Sequence, residues 1–182
     1  MIKFNSNDCN CEDFAVGVEI EKKYIIEIPD MKLLSRKLNY TRSEIEQIYL
    51  PSVGNETHRV RSRSSGDKIV YTETVKIRID GMSSHEFENE ITKERFDELK
   101  ANPRENSRPI KKVRHTFFES GQLFEIDVYP EWKNTCILET ELPTRETEVV
   151  FPDVLKILRD VTGDHAYSNS SMSKHFPKEI DV

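Results

Sequence analysis

The chain has 182 residues, which suits one domain with a sizeable core. Hydrophobic residues make up 36% of it and charged residues 33%, so either part of the chain is disordered or charged side chains occupy positions that a core would normally fill. A formal net charge of −6 gives no long-range attraction to nucleic acid or to an anionic membrane. No apolar run approaches the ~20 residues of a membrane span. We therefore expect neither nucleic acid nor a membrane as a partner.

The three cysteines are Cys9, Cys11 and Cys136. Their odd number argues against a disulfide framework and for a reducing compartment, and the first residues lack the apolar region of a signal peptide, so we expect a cytoplasmic protein. No second Cys or His pair stands at zinc-ligand spacing from Cys9-x-Cys11. Residues 1–14 are predicted to form a flexible N-terminal arm, residues 15–176 a single domain and residues 177–182 a C-terminal tail.

From Ala15 onward, apolar and polar residues alternate with a period of two, which predicts β-strands. In chain order, the predicted strands begin at residue 15 and then cover residues 47–50, 58–63, 69–79, 85–91, 110–118, 123–129 and 136–142. Helical spacing of apolar residues predicts three short helices, over residues 31–38, 93–100 and 151–160. Asp30 and Thr92 are expected to cap the first two, and Pro152 suits the first turn of the third.

One face of each predicted strand is apolar, and the other consists almost entirely of ionisable side chains. The acids are Glu19, Glu21, Glu86, Glu88, Glu90, Glu125, Asp127, Glu139 and Glu141, and the bases are Lys23, Arg59, Arg61, Arg63, Lys76, Arg78, Lys112 and Arg114. An open antiparallel sheet would leave this charged face in water. A closed barrel of about eight strands would instead place the charges in its lumen and the helices outside. The alternation alone leaves both architectures open.

The two kinds of charge suggest a common ligand. Carboxylates at alternate strand positions point the same way and suit Mg²⁺ or Mn²⁺, while guanidinium and ammonium groups bind phosphate oxygens. A site with both would bind a metal–polyphosphate complex, in which one ion bridges phosphates and a second lowers the pKa of a bound water toward ~7. The bases would stabilise charge on the leaving pyrophosphate. The sequence has no Gly-rich phosphate loop of the P-loop type, no dinucleotide-binding glycine triplet and no Gly-x-Ser-x-Gly elbow.

Nine motifs follow one another in the order of a known family. They are Glu19-x-Glu21-x-Lys23, Gln47-x-Tyr49-Leu50, Arg59-Val60-Arg61, Thr74-Val75-Lys76, Glu86-Phe87-Glu88, Lys112-Val113-Arg114, the hairpin over residues 121–128, Leu138-Glu139-Thr140-Glu141 and Tyr167-Ser168-Asn169. Over residues 15–173 the chain resembles the CYTH superfamily of triphosphate tunnel metalloenzymes, and most of all its small bacterial members of the inorganic triphosphatase type. It departs from them at Ser84, where they often have Arg, and at Ser170 and Ser171, where they often have bases.

The resemblance implies an α+β fold, with a closed eight-stranded antiparallel β-barrel (a tunnel), a charged lumen and a few flanking helices. It also implies a triphosphate substrate and Mg²⁺ or Mn²⁺, with two ions expected. The implied phosphate-binding residues are Lys23, Arg59, Arg61, Lys76, Lys112 and Arg114. The implied metal ligands are Glu19, Glu21, Asp127, Glu139 and Glu141, supported by Glu86, Glu88 and Glu125. The residues expected to act most directly in catalysis are Glu21, Lys23 and Arg61.

The expected activity is metal-dependent hydrolysis of inorganic triphosphate, and also of nucleoside triphosphates, by attack of a metal-activated water on a terminal phosphate. Three alternatives are a class IV adenylate cyclase, a thiamine triphosphatase and a non-catalytic sensor of polyphosphate or nucleotide. A cyclase needs an adenine pocket, which the sequence does not identify. In a thiamine triphosphatase Trp132 would stack on a ring of the substrate, although its position also suits a loop anchor. The chain is expected to be a monomer or a homodimer.

Overall fold

The computed structural model describes residues 15–182 of the chain, with side chains described from Val18 onward. The predicted N-terminal arm, with Cys9 and Cys11, lies outside the described residues. The described strands are β1 Ala15–Glu27, β2 Leu38–Leu50, β3 Glu56–Ser65, β4 Lys68–Arg78, β5 Ser83–Ile91, β6 Ile110–Glu119, β7 Gln122–Val128, β8 Thr135–Glu141 and β9 Ile157–Asp160. The helices are α1 Met31–Leu34, α2 Lys93–Lys100 and α3 Asn169–Met172, and a 3₁₀ turn covers His165–Tyr167.

Eight of these strands close into an antiparallel barrel. Around the ring, β5, β4, β3, β2, β6, β7, β8 and β1 are hydrogen-bonded in that order, and β1 closes the ring by pairing with β5. Strand β1 pairs with β5 through residues 15–20 and with β8 through residues 21–27. The predicted closed eight-stranded barrel is therefore confirmed, and the open sheet is excluded. None of the helices in residues 15–182 is long and apolar enough to cross a membrane.

Two apolar clusters cover parts of the outside of the barrel. The first joins Ile26, Phe124 and Leu138 on the strands to Leu34 of α1 and Leu155 of the segment before β9. The second packs Phe96 of α2 against residues of β2 and β3, among them Val60. Since side chains alternate between the two faces of a strand, burying these residues outside directs their charged neighbours into the lumen.

A third apolar cluster fills one end of the barrel from inside. Ile25, Ile110 and Ile137 occupy inward-facing strand positions, one step along each strand from charged residues. Tyr49 of β2 and Tyr129, just after β7, belong to the same cluster. Residues of the C-terminal part of the chain complete the cluster: Val161, Tyr167 and Met172. The lumen is therefore charged along most of its length and apolar where the C-terminal part of the chain packs into it.

Two predicted elements differ from the structure. The helix expected over residues 31–38 ends at Leu34, and the strand expected over 47–50 begins at Leu38, so α1 is shorter and β2 longer than predicted. The helix expected over residues 151–160 is absent, and Ile157–Asp160 form β9. Strand β9 pairs with Tyr24–Ile26 along the edge of β1 that β5 has left, so the backbone groups of β1 gain partners there. Helix α2 matches its prediction, with Thr92 as its cap.

Candidate active site

The charged faces of the strands enclose one cavity of about 650 Å³. Of the fourteen side chains predicted to form the site, thirteen line this cavity: Glu19, Glu21, Lys23, Arg59, Arg61, Lys76, Glu86, Glu88, Lys112, Arg114, Glu125, Glu139 and Glu141. The fourteenth, Asp127, has no exposed surface and lies behind Lys112 and Arg114. The barrel thus brings residues from seven strands to one site, with acids and bases interspersed.

On one side of the cavity, two arginines of β3 bind two carboxylates of β5. Arg59 contacts Glu86 at 3.3 Å, and Arg61 donates to both carboxylate oxygens of Glu88 at 2.9 and 3.1 Å. The hydroxyl of Thr74, on β4 between them, donates to Glu88 at 2.7 Å. The Nε atoms of Arg59 and Arg61 are buried and have no hydrogen-bond partner among the described residues. Each guanidinium therefore keeps donor capacity that a phosphate oxygen could use.

Lys76 of β4 contacts residues of both β1 and β5, the two strands whose pairing closes the barrel. Its ammonium group lies 2.8 Å from Glu19 of β1 and 3.3 Å from Glu86, its directly opposite neighbour on β5. Burial raises the pKa of Glu19 to about 7, with Lys76 opposing the rise and Glu86 adding to it. Glu19 and Glu86 are thus two crowded carboxylates that share one lysine.

The opposite side of the cavity holds a network of buried ion pairs. Lys23 of β1 lies 2.7 Å from Glu139, its partner in the register with β8. Arg114 of β6 contacts Glu139 at 2.6 Å and donates two hydrogen bonds of 2.7 Å to Asp127, which faces it on β7. Lys112 contacts Asp127 at 2.5 Å. Each charge in this network has at least one partner of opposite sign, as burial of ionised groups requires.

The network shifts the pKa values of its members in different directions. Burial alone would lower the pKa of Lys23, but Glu139 and Glu21 outweigh burial and raise it. Burial and the neighbouring Arg114 lower the pKa of Lys112 to about 8, although Asp127 opposes them. For Glu139, burial favours the neutral acid, yet the surrounding bases hold its pKa well below the usual range. Lys23 and Glu139 are therefore fixed in their charged forms, whereas Lys112 can change its charge near pH 8.

Carboxylates that could hold a divalent cation gather between these two sides. Burial raises the pKa of Glu141, and the negative charges of Glu125 and Glu21 raise it further. Repulsion among these three oxygen ligands is the environment that a hard divalent cation relieves, so the donor set suits Mg²⁺ or Mn²⁺. Within residues 15–182, no three acidic, His or Cys side chains already have the spacing of a metal site. Metal binding would therefore require these carboxylates to move closer together.

The lining also contains residues that were not predicted as part of the site. Arg63 and Arg78 were recognised only as members of the charged faces, while Arg104 and Lys174 lie outside the strands. Arg104 stands in the loop between α2 and β6, and Lys174 follows α3. No periodic pattern marks either position, so alternation could not have identified them. Ser84, where the small bacterial members often have Arg, is almost fully buried in the cavity wall.

Sequence comparison identifies a relative of known activity. The chain is 32% identical to the inorganic triphosphatase of Acetivibrio thermocellus over 161 residues, which cover 88% of this chain and 96% of that protein. No model of a known protein family matches the chain.

Comparison with solved structures shows the same fold. The inorganic triphosphatase NE1496 superposes with a TM-score of 0.54 and 24% identity, over 87% of this chain and 96% of that one. The PH1819 protein from Pyrococcus horikoshii OT3 also gives a TM-score of 0.54, with 21% identity over 70% of this chain and 80% of that one. With its closed barrel, its charged lumen and its bacterial relative, the chain belongs to the CYTH superfamily of triphosphate tunnel metalloenzymes.

Proposed function

We propose that this protein hydrolyses inorganic triphosphate in a reaction that depends on Mg²⁺ or Mn²⁺. The observation that carries the proposal is the cavity in which six predicted phosphate-binding bases stand among predicted carboxylates from four strands. Such a lining suits a small, highly charged anion bound together with cations. The 32% identity to an inorganic triphosphatase over most of both chains supports the same activity.

The composition of the lining favours inorganic over organic triphosphates. Among the described residues that line the cavity, Tyr49 is the only Phe, Tyr or Trp, and the guanidinium of Arg104 lies 5.0 Å from the centre of its ring. Trp132, considered as a stacking residue for thiamine, is buried against Tyr129 and Phe176, and its indole N–H donates to the carbonyl oxygen of Pro177. A nucleobase or a thiamine ring would therefore find no free aromatic face in the lining.

In the proposed reaction, the basic side chains would bind phosphate and the acidic side chains would bind metal. Arg59, Arg61 and Lys76 on one side, and Lys23 with Arg114 on the other, would bind the phosphate oxygens and stabilise the charge on the leaving pyrophosphate. Lys112 would add a further phosphate contact. Ion pairing with Asp127 and Glu139 holds Arg114 in place before substrate arrives.

The proposed metal ligands are Glu19, Glu21, Asp127, Glu139 and Glu141, with Glu86, Glu88 and Glu125 in support. Asp127 would reach a metal only by leaving Lys112 and Arg114, which separate it from the cavity. Glu21 and Glu141 are the least committed to bases, since within residues 15–182 the one ion pair of either is the 3.6 Å contact of Glu21 with Lys23. When bound, Mg²⁺ or Mn²⁺ would neutralise phosphate charge and lower the pKa of a coordinated water. The sequence and the resemblance favour two ions.

A substrate panel tests the proposal. The purified chain is incubated with Mg²⁺ or Mn²⁺ and inorganic triphosphate, ATP or thiamine triphosphate, and phosphate, pyrophosphate and cyclic AMP are measured. We expect phosphate release from inorganic triphosphate to exceed that from either organic substrate. Pyrophosphate with cyclic AMP from ATP would instead indicate a cyclase, and preference for thiamine triphosphate a thiamine triphosphatase. Metal-dependent binding without turnover would refute an enzyme and indicate a sensor.

A further inference from the structure

Arg104 connects three parts of the molecule at one end of the cavity. Its backbone N–H donates to the carbonyl oxygen of Tyr49 at 2.8 Å, and its guanidinium lies over the Tyr49 ring. From there, the guanidinium donates to the hydroxyl and the carbonyl oxygen of Ser170, at 3.0 and 2.7 Å, and to the hydroxyl of Ser173, at 2.8 Å. The loop between α2 and β6 is thus tied to β2 and to the C-terminal part of the chain by one side chain.

The acceptors of Arg104 differ from those of the six predicted phosphate-binding bases. The six predicted phosphate-binding bases each have a carboxylate partner, whereas Arg104 has none among residues 15–182 and donates only to neutral oxygens. Burial accordingly lowers the pKa of Arg104. A guanidinium that donates three hydrogen bonds to one short segment can hold that segment in position.

The segment that Arg104 holds is part of the cavity wall. His165, Lys174 and Ser168–Ser170 line the cavity, and Tyr167 and Met172 of the same segment pack into the apolar cluster that fills this end of the barrel. Residues 165–174, named here the end wall, are also held by the hydroxyl of Tyr129, the residue after β7, which donates to Asn169 at 2.8 Å. The position of the end wall sets how far the cavity extends in this direction.

We propose that Arg104 is a positioning residue that fixes the end wall and thereby limits the length of the polyphosphate chain that the site accepts. The inference rests on the proposed function, since it concerns the substrate of that site. With the end wall held, a linear triphosphate fits between the two sides of the cavity, and a fourth phosphate meets Ser170 and its neighbours. With the end wall released, the cavity can lengthen at this end and admit the fourth phosphate.

Arg108 offers a matched control in the same loop. Its backbone N–H donates to the carbonyl oxygen of Ser173, so it holds the same segment. Its side chain, however, lies over Phe176 and pairs with Glu131 at 2.8 Å, and it does not line the cavity. Arg108→Gln therefore removes a guanidinium from the same loop without removing a side-chain contact to Ser170 or Ser173.

The test compares hydrolysis of inorganic triphosphate and linear inorganic tetraphosphate by the full-length protein. In Arg104→Gln, we expect kcat/KM for tetraphosphate relative to triphosphate to rise about fivefold, the equivalent of one hydrogen bond of about 1 kcal/mol. Arg104→Lys should raise the ratio as well, because an ammonium group cannot reproduce the fork of three hydrogen bonds. Arg108→Gln should keep the wild-type ratio. Thermal unfolding shows that each variant is folded.

The outcomes separate the proposals. A wild-type ratio in both Arg104 variants would overturn the positioning role, and a wild-type ratio in Arg104→Lys alone would indicate a simple phosphate contact instead. If Arg104→Gln does not fold, Arg104→Lys and Ser173→Ala give the same comparison. A wild-type protein that hydrolyses neither substrate would refute the proposed function.

Hydrogen exchange tests whether Arg104 holds the end wall in position. The amides of residues 172–175 should exchange faster in the Arg104 variants, and unchanged rates would refute the inference.

Discussion

Replacing Asp127 by Asn tests the buried ion-pair network most directly. The change keeps the shape of the side chain and removes the one carboxylate that contacts both Lys112 and Arg114. All three side chains are nearly inaccessible, with exposed fractions of 0% for Asp127, 3% for Lys112 and 10% for Arg114. Water therefore cannot replace the partner that Lys112 loses, whereas Arg114 keeps Glu139 and Glu125 as partners.

The expected loss of stability follows from this burial. Breaking a buried ion pair by removing one partner costs about 3–5 kcal/mol. For a chain of this size, about 1 kcal/mol corresponds to a change of about 2–4 °C in melting temperature, so Asp127→Asn should melt about 6–20 °C below the wild type at pH 7. The lower part of that range applies if Lys112, whose pKa is already lowered to about 8, releases its proton in the variant.

Circular dichroism during thermal unfolding measures the effect, with Glu44→Gln as the control. Glu44 pairs with Arg42 at 2.9 Å on the exposed surface, so its loss should cost about 1 kcal/mol or less. A melting temperature of Asp127→Asn within about 2 °C of the control would refute the reasoning, because a buried charge would then have lost its partner without penalty.

The pH dependence gives the same test a second readout. Burial alone would raise the pKa of Asp127, but Arg114 and Lys112 outweigh it and hold the pKa below its ordinary value. The stabilisation is therefore fully present above the pKa of an unfolded aspartate, about 3.9, and is lost as the pH falls through the folded-state value. The difference in melting temperature between wild type and Asp127→Asn should be full at pH 7 and should shrink below about pH 4.

Three further predictions concern the site and the C-terminal tail. Glu21→Gln and Arg61→Ala should each lower kcat for inorganic triphosphate by about 100-fold or more while the protein stays folded, and wild-type activity in both would show that the lumen is not the active site. Chelation with EDTA should abolish hydrolysis and Mg²⁺ or Mn²⁺ should restore it, so full activity in EDTA would exclude metal dependence. Glu179→Ala should shift the fluorescence of Trp132 to longer wavelength, because Glu179 accepts hydrogen bonds from the backbone N–H groups of residues 133–135 and so holds the tail against that ring. Burial alone would raise the pKa of Glu179, but hydrogen bonds from those three N–H groups outweigh burial and lower the pKa. The same fluorescence shift should therefore appear in the wild type once the pH falls below that lowered pKa and the carboxylate is protonated. An unshifted spectrum in both cases would contradict this anchoring role.

The alternation of apolar and charged residues was sufficient to predict the strands that form the walls of the cavity. It failed in the first half of β2, where neighbouring residues such as Thr41 and Arg42 are both exposed and pair only with β6. There the strand extends beyond the body of the barrel, so neither face needs to be apolar. Closure of the barrel required the family resemblance, because an open sheet has the same alternation.

The segment before β9 shows how tertiary structure can override a local pattern. Val154, Leu155 and Leu158 have helical spacing, yet Leu155 packs on the outer apolar cluster without forming a helix, and Leu158 belongs to a strand. Pairing with β1 satisfies a row of backbone groups, which outweighs a short helix with few turns. Arg104 could not be found from sequence at all, since its role depends on contacts with residues more than 50 positions away.

The ion pairs of the lumen have a thermodynamic consequence for any ligand. Before substrate binds, the carboxylates occupy the positions around Arg59, Arg61 and Arg114 that phosphate oxygens would take. An entering anion must exchange with those carboxylates, and the released carboxylates then become available to cations. If the proposed site binds both, reciprocal linkage requires metal and triphosphate to change the affinity for each other by the same factor, and the released carboxylates would make that change an increase. A dissociation constant for either one is therefore defined only at a stated concentration of the other.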